Sequence, residues 1–161
     1  MILCGVVGWK NSGKTYLAQK LIEHFSKKKY IVASIKHAHH NFDIDKKETD
    51  SYLLRKAGAK QVIVSSSKRW AKITELNNSR EKELQYLLNE LDAPDIVIIE
   101  GFKNLSHPKI EIIGEKSESY LFPKLKNIIG IVTNKKIETS LPQFKILEIE
   151  KIANLILKNK L

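Results

Sequence analysis

Apolar and polar positions fall in alternating blocks along the chain. Ile2-Leu3-Cys4-Gly5-Val6-Val7 is an unbroken apolar run, the pattern of a short strand covered on both faces. From Lys14 onward Leu17, Leu21, Ile22 and Phe25 recur at helical spacing, which predicts a helix to about Lys27. Residues 30–35 predict a second strand that ends at Lys36-His37, and a polar loop follows to Lys47. Residues 50–57 predict a short helix, with Gly58 placed to end it. Gln61-Val62-Ile63-Val64 and Trp70-Ala71-Lys72-Ile73-Thr74 flank a polar turn and predict a hairpin-like strand pair around 61–75. A second long helix is expected over 79–91, with its stripe at Leu84, Leu87, Leu88 and Leu91. The β-branched run Ile96-Val97-Ile98-Ile99 predicts another doubly covered strand. Further strands are expected at 109–113, 128–133 and 144–149, then a helix from about Lys151 with Ile152, Leu155 and Ile156 inward. Strands alternating with helices imply an α/β fold on a mostly parallel sheet. No repeat, linker or low-complexity stretch interrupts the pattern, so residues 1–161 are expected to form a single nucleotide-binding domain.

Between the first strand and the first helix stands Gly8-Trp9-Lys10-Asn11-Ser12-Gly13-Lys14-Thr15, which fits G-x-x-x-x-G-K-[ST], the phosphate-binding loop, in the strand-to-helix context that motif requires. Gly8 and Gly13 allow backbone conformations that turn successive N–H groups inward on an anion. The helix behind them adds its unpaired first-turn amides and the positive end of its dipole. Lys14 supplies a mobile charge for the outer phosphates, and the Thr15 hydroxyl is placed to ligate Mg²⁺. A charge-assisted hydrogen bond nets roughly 1.5–3 kcal/mol, and micromolar affinity needs about 8 kcal/mol. Four or five such bonds can therefore anchor a nucleoside triphosphate by its phosphates alone.

Composition narrows the picture. Of 161 residues, 42% are hydrophobic and 29% charged, which suits one domain with a sizeable core. No apolar run approaches the ~20 residues of a membrane span. The N-terminus enters a strand without a charged leader, so no signal peptide is expected. Cys4 is alone and cannot form an internal disulfide, and a cytoplasmic location is the natural expectation. The formal charge of +10 raises nucleic acid as a partner. Arg occurs only at Arg55, Arg69 and Arg80, however, and the lysines are spread along helix faces and turns. Nucleic-acid recognition is therefore the last of the readings.

Ligands of parallel sheets lie beyond the carboxyl ends of the strands, and that rule gathers the remaining polar residues. The strands at 2–7, 30–35, 96–99 and 128–133 end at the phosphate loop, Lys36-His37, Glu100-Gly101 and Thr133-Asn134-Lys135 respectively. Glu100 is expected to hold a Mg²⁺-bound or attacking water. Asp95 is excluded, since five residues of strand at about 3.3 Å place it roughly 16 Å away, at the opposite edge. A salt bridge from Glu100 to Lys103 is the plainer alternative. The run Lys36-His37-Ala38-His39-His40 with Asp43 and Asp45 is read as a polar rim for substrate or Mg²⁺ water, with a zinc, nickel or iron site or a merely solvated loop as alternatives. Asn134-Lys135 invites comparison with the N-K-x-D element that reads guanine, but its fourth position is Ile137, so the spacing leaves GTP and ATP undecided.

Several of these stretches together resemble the MobB family, molybdopterin-guanine dinucleotide biosynthesis protein B. They are the phosphate loop, Lys36-His37-Ala38-His39-His40-Asn41-Phe42-Asp43-Ile44-Asp45, Asp50-Ser51-Tyr52, Ala57-Gly58-Ala59, and 95–103 running to Pro108-Lys109-Ile110-Glu111. The resemblance covers roughly the first two-thirds of the chain. It implies a P-loop NTPase-like three-layer fold and a GTP-binding accessory protein. Such a protein acts with the guanylyltransferase that joins GMP to molybdopterin, and hydrolyses GTP weakly at most. It also implies a homodimer, formed through the strand pair at 61–75. With the rim residues, the expected nucleotide contacts are Gly8, Lys10, Asn11, Ser12, Gly13, Lys14, Thr15, Tyr16, Lys36, His37, His39, Asp43, Gly101 and Lys103. Thr15 and Glu100 are expected at Mg²⁺, and Lys14 and Glu100 in any hydrolysis. Two departures are visible: the family's Gly-Lys before Asp-Ser is replaced by Lys47-Glu48-Thr49, and the chain from about Ser117 matches nothing distinctive. A small-molecule kinase and a metal-insertion GTPase are the alternatives that share this loop. A kinase would be expected to carry an arginine-bearing lid, which 37–47 and 101–108 lack.

Overall fold

The computed structural model describes residues 1–38, 42–77, 79–117 and 119–159. In chain order the elements are β1 (Ile2–Val7), α1 (Lys14–Lys27), β2 (Val32–Lys36), α2 (Asp50–Lys56), β3 (Gln61–Ser65), β4 (Trp70–Thr74), α3 (Leu84–Asn89), β5 (Ile96–Glu100), β6 (Lys109–Ile112), β7 (Ile128–Val132), β8 (Gln143–Phe144) and α4 (Ile149–Lys158). They form two compact units, Met1–His37 with Leu84–Leu161, and Ala38–Glu83.

The larger unit is a six-stranded sheet in the order β2-β5-β1-β6-β7-β8, with every pair parallel. β1 sits inside it, so the loop that follows β1 opens between the ends of β5 and β6. One face of the sheet carries Cys4, Val6, Ile96, Ile98, Ile110 and Ile112 against α1 and α4. Leu17, Leu21 and Phe25 of α1 are fully buried there, at roughly 1.5–3 kcal/mol for each such side chain. Cys4 lies in this core, and desolvation pushes its thiol up to about 12, which leaves it unreactive. The other face is divided. Ile35, Val97 and Ile99 pack under Leu84 and Leu88 of α3. Beyond β1, Val7, Ile128 and Ile131 meet Leu121 and Ile137, which come from loops rather than a helix.

The differences from the sequence expectations are local. α3 begins at Leu84 rather than at 79, because the residues before it are polar and contribute no apolar stripe. β8 has two residues, since the chain leaves the sheet edge after Phe144. The turn there is closed by the Glu148 carboxylate, which accepts the Lys145 N–H at 2.8 Å, and α4 follows at once from Ile149. Asp95 does lie at the far edge, where its carboxylate accepts the Ile31 N–H at 2.7 Å and its carbonyl the Ile2 N–H at 2.7 Å.

The smaller unit comprises α2 and the antiparallel pair β3–β4, registered from Gln61↔Thr74 to Ser65↔Trp70. Its polar centre is Arg55, whose guanidinium donates to Asp45 (2.8 and 3.3 Å), Glu75 (2.8 Å) and Asp43 (2.9 Å). That planar fork suits several carboxylates at once, and it holds the Asp45 carboxyl below its usual range. On the hairpin Ile63, Val64 and Trp70 are exposed.

Candidate functional site

The loop between β1 and α1 has the conformation that its glycines demand. Gly8 lies at φ +153° and Gly13 at φ +98°, and a β-carbon on Gly8 would stand 2.4 Å from the Ile112 carbonyl oxygen. Asn11 is also left-handed, at φ 61°. Within the loop the Ser12 N–H donates to the Trp9 carbonyl at 3.2 Å. Among the described residues, the amides of Asn11, Gly13, Lys14 and Thr15 have no protein acceptor. The Ser12 hydroxyl is buried and has no partner either. Donors in this state are costly unless something accepts from them. The first turn of α1 contains no acidic residue of its own, so no side chain of the helix itself offsets the positive end of its dipole. This donor set fits a polyphosphate.

Lys14 closes the loop from within, its ammonium donating to the Trp9 carbonyl at 2.7 Å. Its pKa is lowered, first by burial and then by the nearby charge of Lys36, while Glu100 opposes both. An ammonium so placed is short of negative charge, and an anion would restore the balance. The Thr15 hydroxyl donates to Glu100, 3.1 Å from Oε2 and 3.3 Å from Oε1. Lys36 stands 3.5 Å from Oε1 of the same carboxylate, since the β2–β5 register pairs Lys36 with Glu100 and the β1–β5 register pairs Val6 with it. This hydroxyl-plus-carboxylate pair is an all-oxygen donor set suited to Mg²⁺.

The turn after β5 is strained. Gly101 and Phe102 lie at φ 102° and 48°, and a β-carbon on Gly101 would be 2.6 Å from that of His37. The His37 N–H donates to the Glu100 carbonyl at 2.8 Å, and its ring stacks on Phe102 at 4.6 Å. Lys103 turns away from Glu100 and rests over the Trp9 ring at 6.0 Å, so the carboxylate's cationic partner is Lys36 rather than Lys103. Of the expected residues, the phosphate loop, Lys36, His37, Glu100 and Gly101 form one group. His39, with His40, lies outside the described residues. Asp43 belongs to the smaller unit, where Arg55 holds it.

Sequence reasoning passed over a second layer. On β6, Lys109 and Glu111 are fully buried. The Lys109 ammonium donates to the carbonyls of Leu105, His107 (2.7 Å) and Lys126 (3.2 Å). The Glu111 carboxylate accepts the N–H groups of Leu121 (2.8 Å) and Phe122 (2.7 Å). Among the described residues no helix covers this part of the sheet, so the loops above it need side-chain partners for their backbone groups. The held loop reaches the phosphate loop, because the Trp9 indole N–H donates to the Ser119 carbonyl at 2.9 Å. Lys135 donates to the Ser117 carbonyl at 3.2 Å. Between them opens a cleft of about 760 Å³ lined by Lys10, Asn11, Ser12, Glu115, Lys116 and Ser119. The available signal was a Lys and a Glu two apart inside a strand pattern, both on one face.

Residues 3–134 match the family model for molybdopterin guanine dinucleotide synthesis protein B. The molybdopterin-guanine dinucleotide biosynthesis adapter protein of Escherichia coli K12 is 33% identical over 97% of this chain and 91% of its own length. The protein of the same name from Haemophilus influenzae is 35% identical over 96% and 86%. The crystal structure of Bacillus subtilis MobB superposes with a TM-score of 0.77 at 26% identity, covering 100% of this chain and 99% of that one.

Proposed function

Because the chain belongs to the molybdopterin guanine dinucleotide synthesis protein B family, we propose that it is a GTP-binding adaptor of molybdenum-cofactor biosynthesis. In this reading it assists the guanylyltransferase that attaches GMP to molybdopterin. The observation that carries the nucleotide part is the unspent donor set of the loop: the amides of Asn11, Gly13, Lys14 and Thr15 and the buried Ser12 hydroxyl, which have no acceptor among the described residues, closed by the Lys14 ammonium. Gly8, Lys10, Asn11, Ser12, Gly13, Lys14, Thr15 and Tyr16 would hold the nucleotide, with Lys36, His37, Gly101 and Lys103 around it. Thr15 directly, and Glu100 through water, would hold Mg²⁺, which supplies charge neutralisation for the phosphates. Glu100 would orient an attacking water and Lys14 would balance charge on the outer phosphate. Arg55 is committed to three carboxylates, so it is not free to act as an arginine finger, and slow turnover at most is expected. That commitment also weighs against the kinase alternative. The exposed Ile63, Val64 and Trp70 support a homodimer formed through the β3–β4 hairpin. A cytoplasmic location completes the reading.

The test is calorimetric titration of the wild-type protein and Lys14→Ala with GTP, ATP and GDP, with and without Mg²⁺. Loss of one charge-assisted bond worth about 2–3 kcal/mol predicts that Lys14→Ala weakens triphosphate binding roughly 30- to 150-fold. Its unliganded melting temperature should stay close to wild type, since Lys14 takes part in no core contact. Equal affinity in the two proteins would remove the central claim.

A further inference from the structure

Two ammonium groups stand beside the phosphate loop, each resting on a protein oxygen. That of Lys14 donates to the Trp9 carbonyl at 2.7 Å, and that of Lys36 lies 3.5 Å from Oε1 of Glu100. The same Oε1 is 3.3 Å from the Thr15 hydroxyl, so Lys36 and Thr15 meet on one carboxylate oxygen. Two other lysines near the loop are placed elsewhere. Lys103 rests over the Trp9 ring at 6.0 Å, and Lys10 lines the cleft shared with the segment that follows β6. Among the described residues, Lys36 is the cation paired with Glu100.

The strand order explains the position and the freedom of this side chain. β2 is the edge strand beside β5, in a parallel register that sets Lys36 against Glu100. Its side chain is 60% exposed, against 15% for the carboxylate. An ion pair so open to water holds weakly, and a four-carbon stem lets the ammonium leave without disturbing the strand. The backbone at this point has no such freedom, because the His37 N–H donates to the Glu100 carbonyl at 2.8 Å. Burial first, and then the charge of Lys36, lowers the Lys14 pKa. The two ammoniums thus feel one another, and an anion placed between them relieves both.

We propose that Lys36 reads the terminal phosphate: with the loop empty its ammonium pairs with Glu100, and with a triphosphate bound it transfers to the outermost phosphoryl group. This rests on the phosphate-loop reading above and names the residue that tells a triphosphate from a diphosphate. A terminal phosphoryl group carries about −1.5 to −2 charge at pH 7, more than the single charge of the carboxylate it replaces. Once Glu100 faces the waters of Mg²⁺, an ammonium fixed beside it is repelled and released. A diphosphate brings no such group, so Lys36 stays on Glu100 and adds little to its affinity. Lys14 cannot make this distinction alone, since the lysine of a phosphate loop serves the inner and outer phosphates together. A lysine offers a point charge rather than the planar fork of an arginine. It therefore recognises the phosphate in its ground state, in keeping with slow turnover.

Affinities of GTP and GDP with Mg²⁺ for wild type, Lys36→Met, Lys36→Arg and Lys14→Ala test this. Lys36→Met keeps the stem and removes the charge. It should lower the preference for GTP over GDP roughly 10- to 50-fold, a charge-assisted bond less the weak pair given up. Lys36→Arg restores the charge and should keep that preference within about 3-fold of wild type. An unliganded melting temperature close to wild type reports an intact fold in each variant. Three results would overturn the proposal and leave the phosphate loop standing, provided that binding still depends on Lys14. They are a GTP-to-GDP ratio unchanged in Lys36→Met, an equal loss for both nucleotides, and an arginine variant as impaired as the methionine one. Absence of any Lys14-dependent binding would overturn both readings.

Discussion

His107 tests how the floor beneath the site is built. Its ring is 4% exposed, and neither Nδ1 nor Nε2 has a partner among the described residues. It lies against β1 so closely that a β-carbon on Gly5 would come within 2.6 Å of Nε2. Burial, with a smaller contribution from the charge of Lys109, pushes its pKa from 6.5 down to about 4. In the unfolded chain the imidazole titrates near 6.5. Between these values the unfolded chain binds a proton that the fold refuses. Stability therefore rises with pH across the window and is lost as pH falls from about 6.5 toward 4. At about 1.36 kcal/mol per unit, the loss is roughly 3 kcal/mol, a sizeable part of the ~5–15 kcal/mol that holds a domain together.

The assay is urea unfolding of wild type and His107→Leu at intervals from pH 7 to pH 4. At pH 7 the variant should be as stable as wild type or slightly more so, because an unpaired buried polar ring has been exchanged for an apolar side chain. As pH falls, the gap should widen in the variant's favour by roughly 3 kcal/mol with the slope against urea unchanged. The other titrating groups are common to both proteins and cancel in the difference. One of these is Glu111, whose carboxyl burial raises above 4.5; its contribution runs the opposite way, stability falling as pH rises past that value. A gap constant within about 0.5 kcal/mol would refute the reasoning, because it would mean that the folded imidazole is hydrated or paired.

Two further outcomes are expected. Glu111→Gln keeps an acceptor for one of the Leu121 and Phe122 amides and sets an NH₂ donor against the other, at a cost of roughly 2–4 kcal/mol. Hydrogen exchange should quicken at residues 119–122 before it does elsewhere, and unaltered stability with unaltered exchange would show that the carboxylate does not hold this loop. Glu100→Gln should keep Mg²⁺-nucleotide affinity within a few-fold and slow single-turnover hydrolysis by roughly 100-fold; an unchanged rate would take Glu100 out of the chemistry.

What could be read from the sequence was whatever depends on neighbours along the chain. The phosphate loop announces itself because the glycines, the lysine and the hydroxyl must act within one strand-to-helix turn. Strand direction alone placed Glu100 at the loop and Asp95 at the far edge. The partner of Glu100 was not legible, because it follows from the parallel register that sets Lys36 beside it, whereas Lys103 is nearer in sequence and ends over Trp9. The helix expected from 79 was shortened because charged residues can continue a helical count without any apolar face to bury. Lys109 and Glu111 read as ordinary strand polarity. Their burial follows from the missing helix over β6, an absence that no local pattern records.

That absence bears on how the loop works. A helix over β6 would satisfy its own backbone and present an apolar face, and two buried charges beneath it would be a net cost. Loops in the same place leave carbonyls and amides that apolar side chains cannot answer. The Lys109 ammonium, with three carbonyls, and the Glu111 carboxylate, with two amides, act as replacements for a hydrogen-bonded ladder. The segment so fixed offers the Ser119 carbonyl to Trp9, the second residue of the phosphate loop. The loop is thus braced from three sides: Gly8 against the Ile112 carbonyl, Gly114 against Ser12, and Trp9 against the held segment. Its unpaired amides are kept open before any anion arrives, so little ordering entropy is left to spend on binding. For the proposed nucleotide-holding role, a preformed and braced seat is what the buried Lys109–Glu111 layer provides.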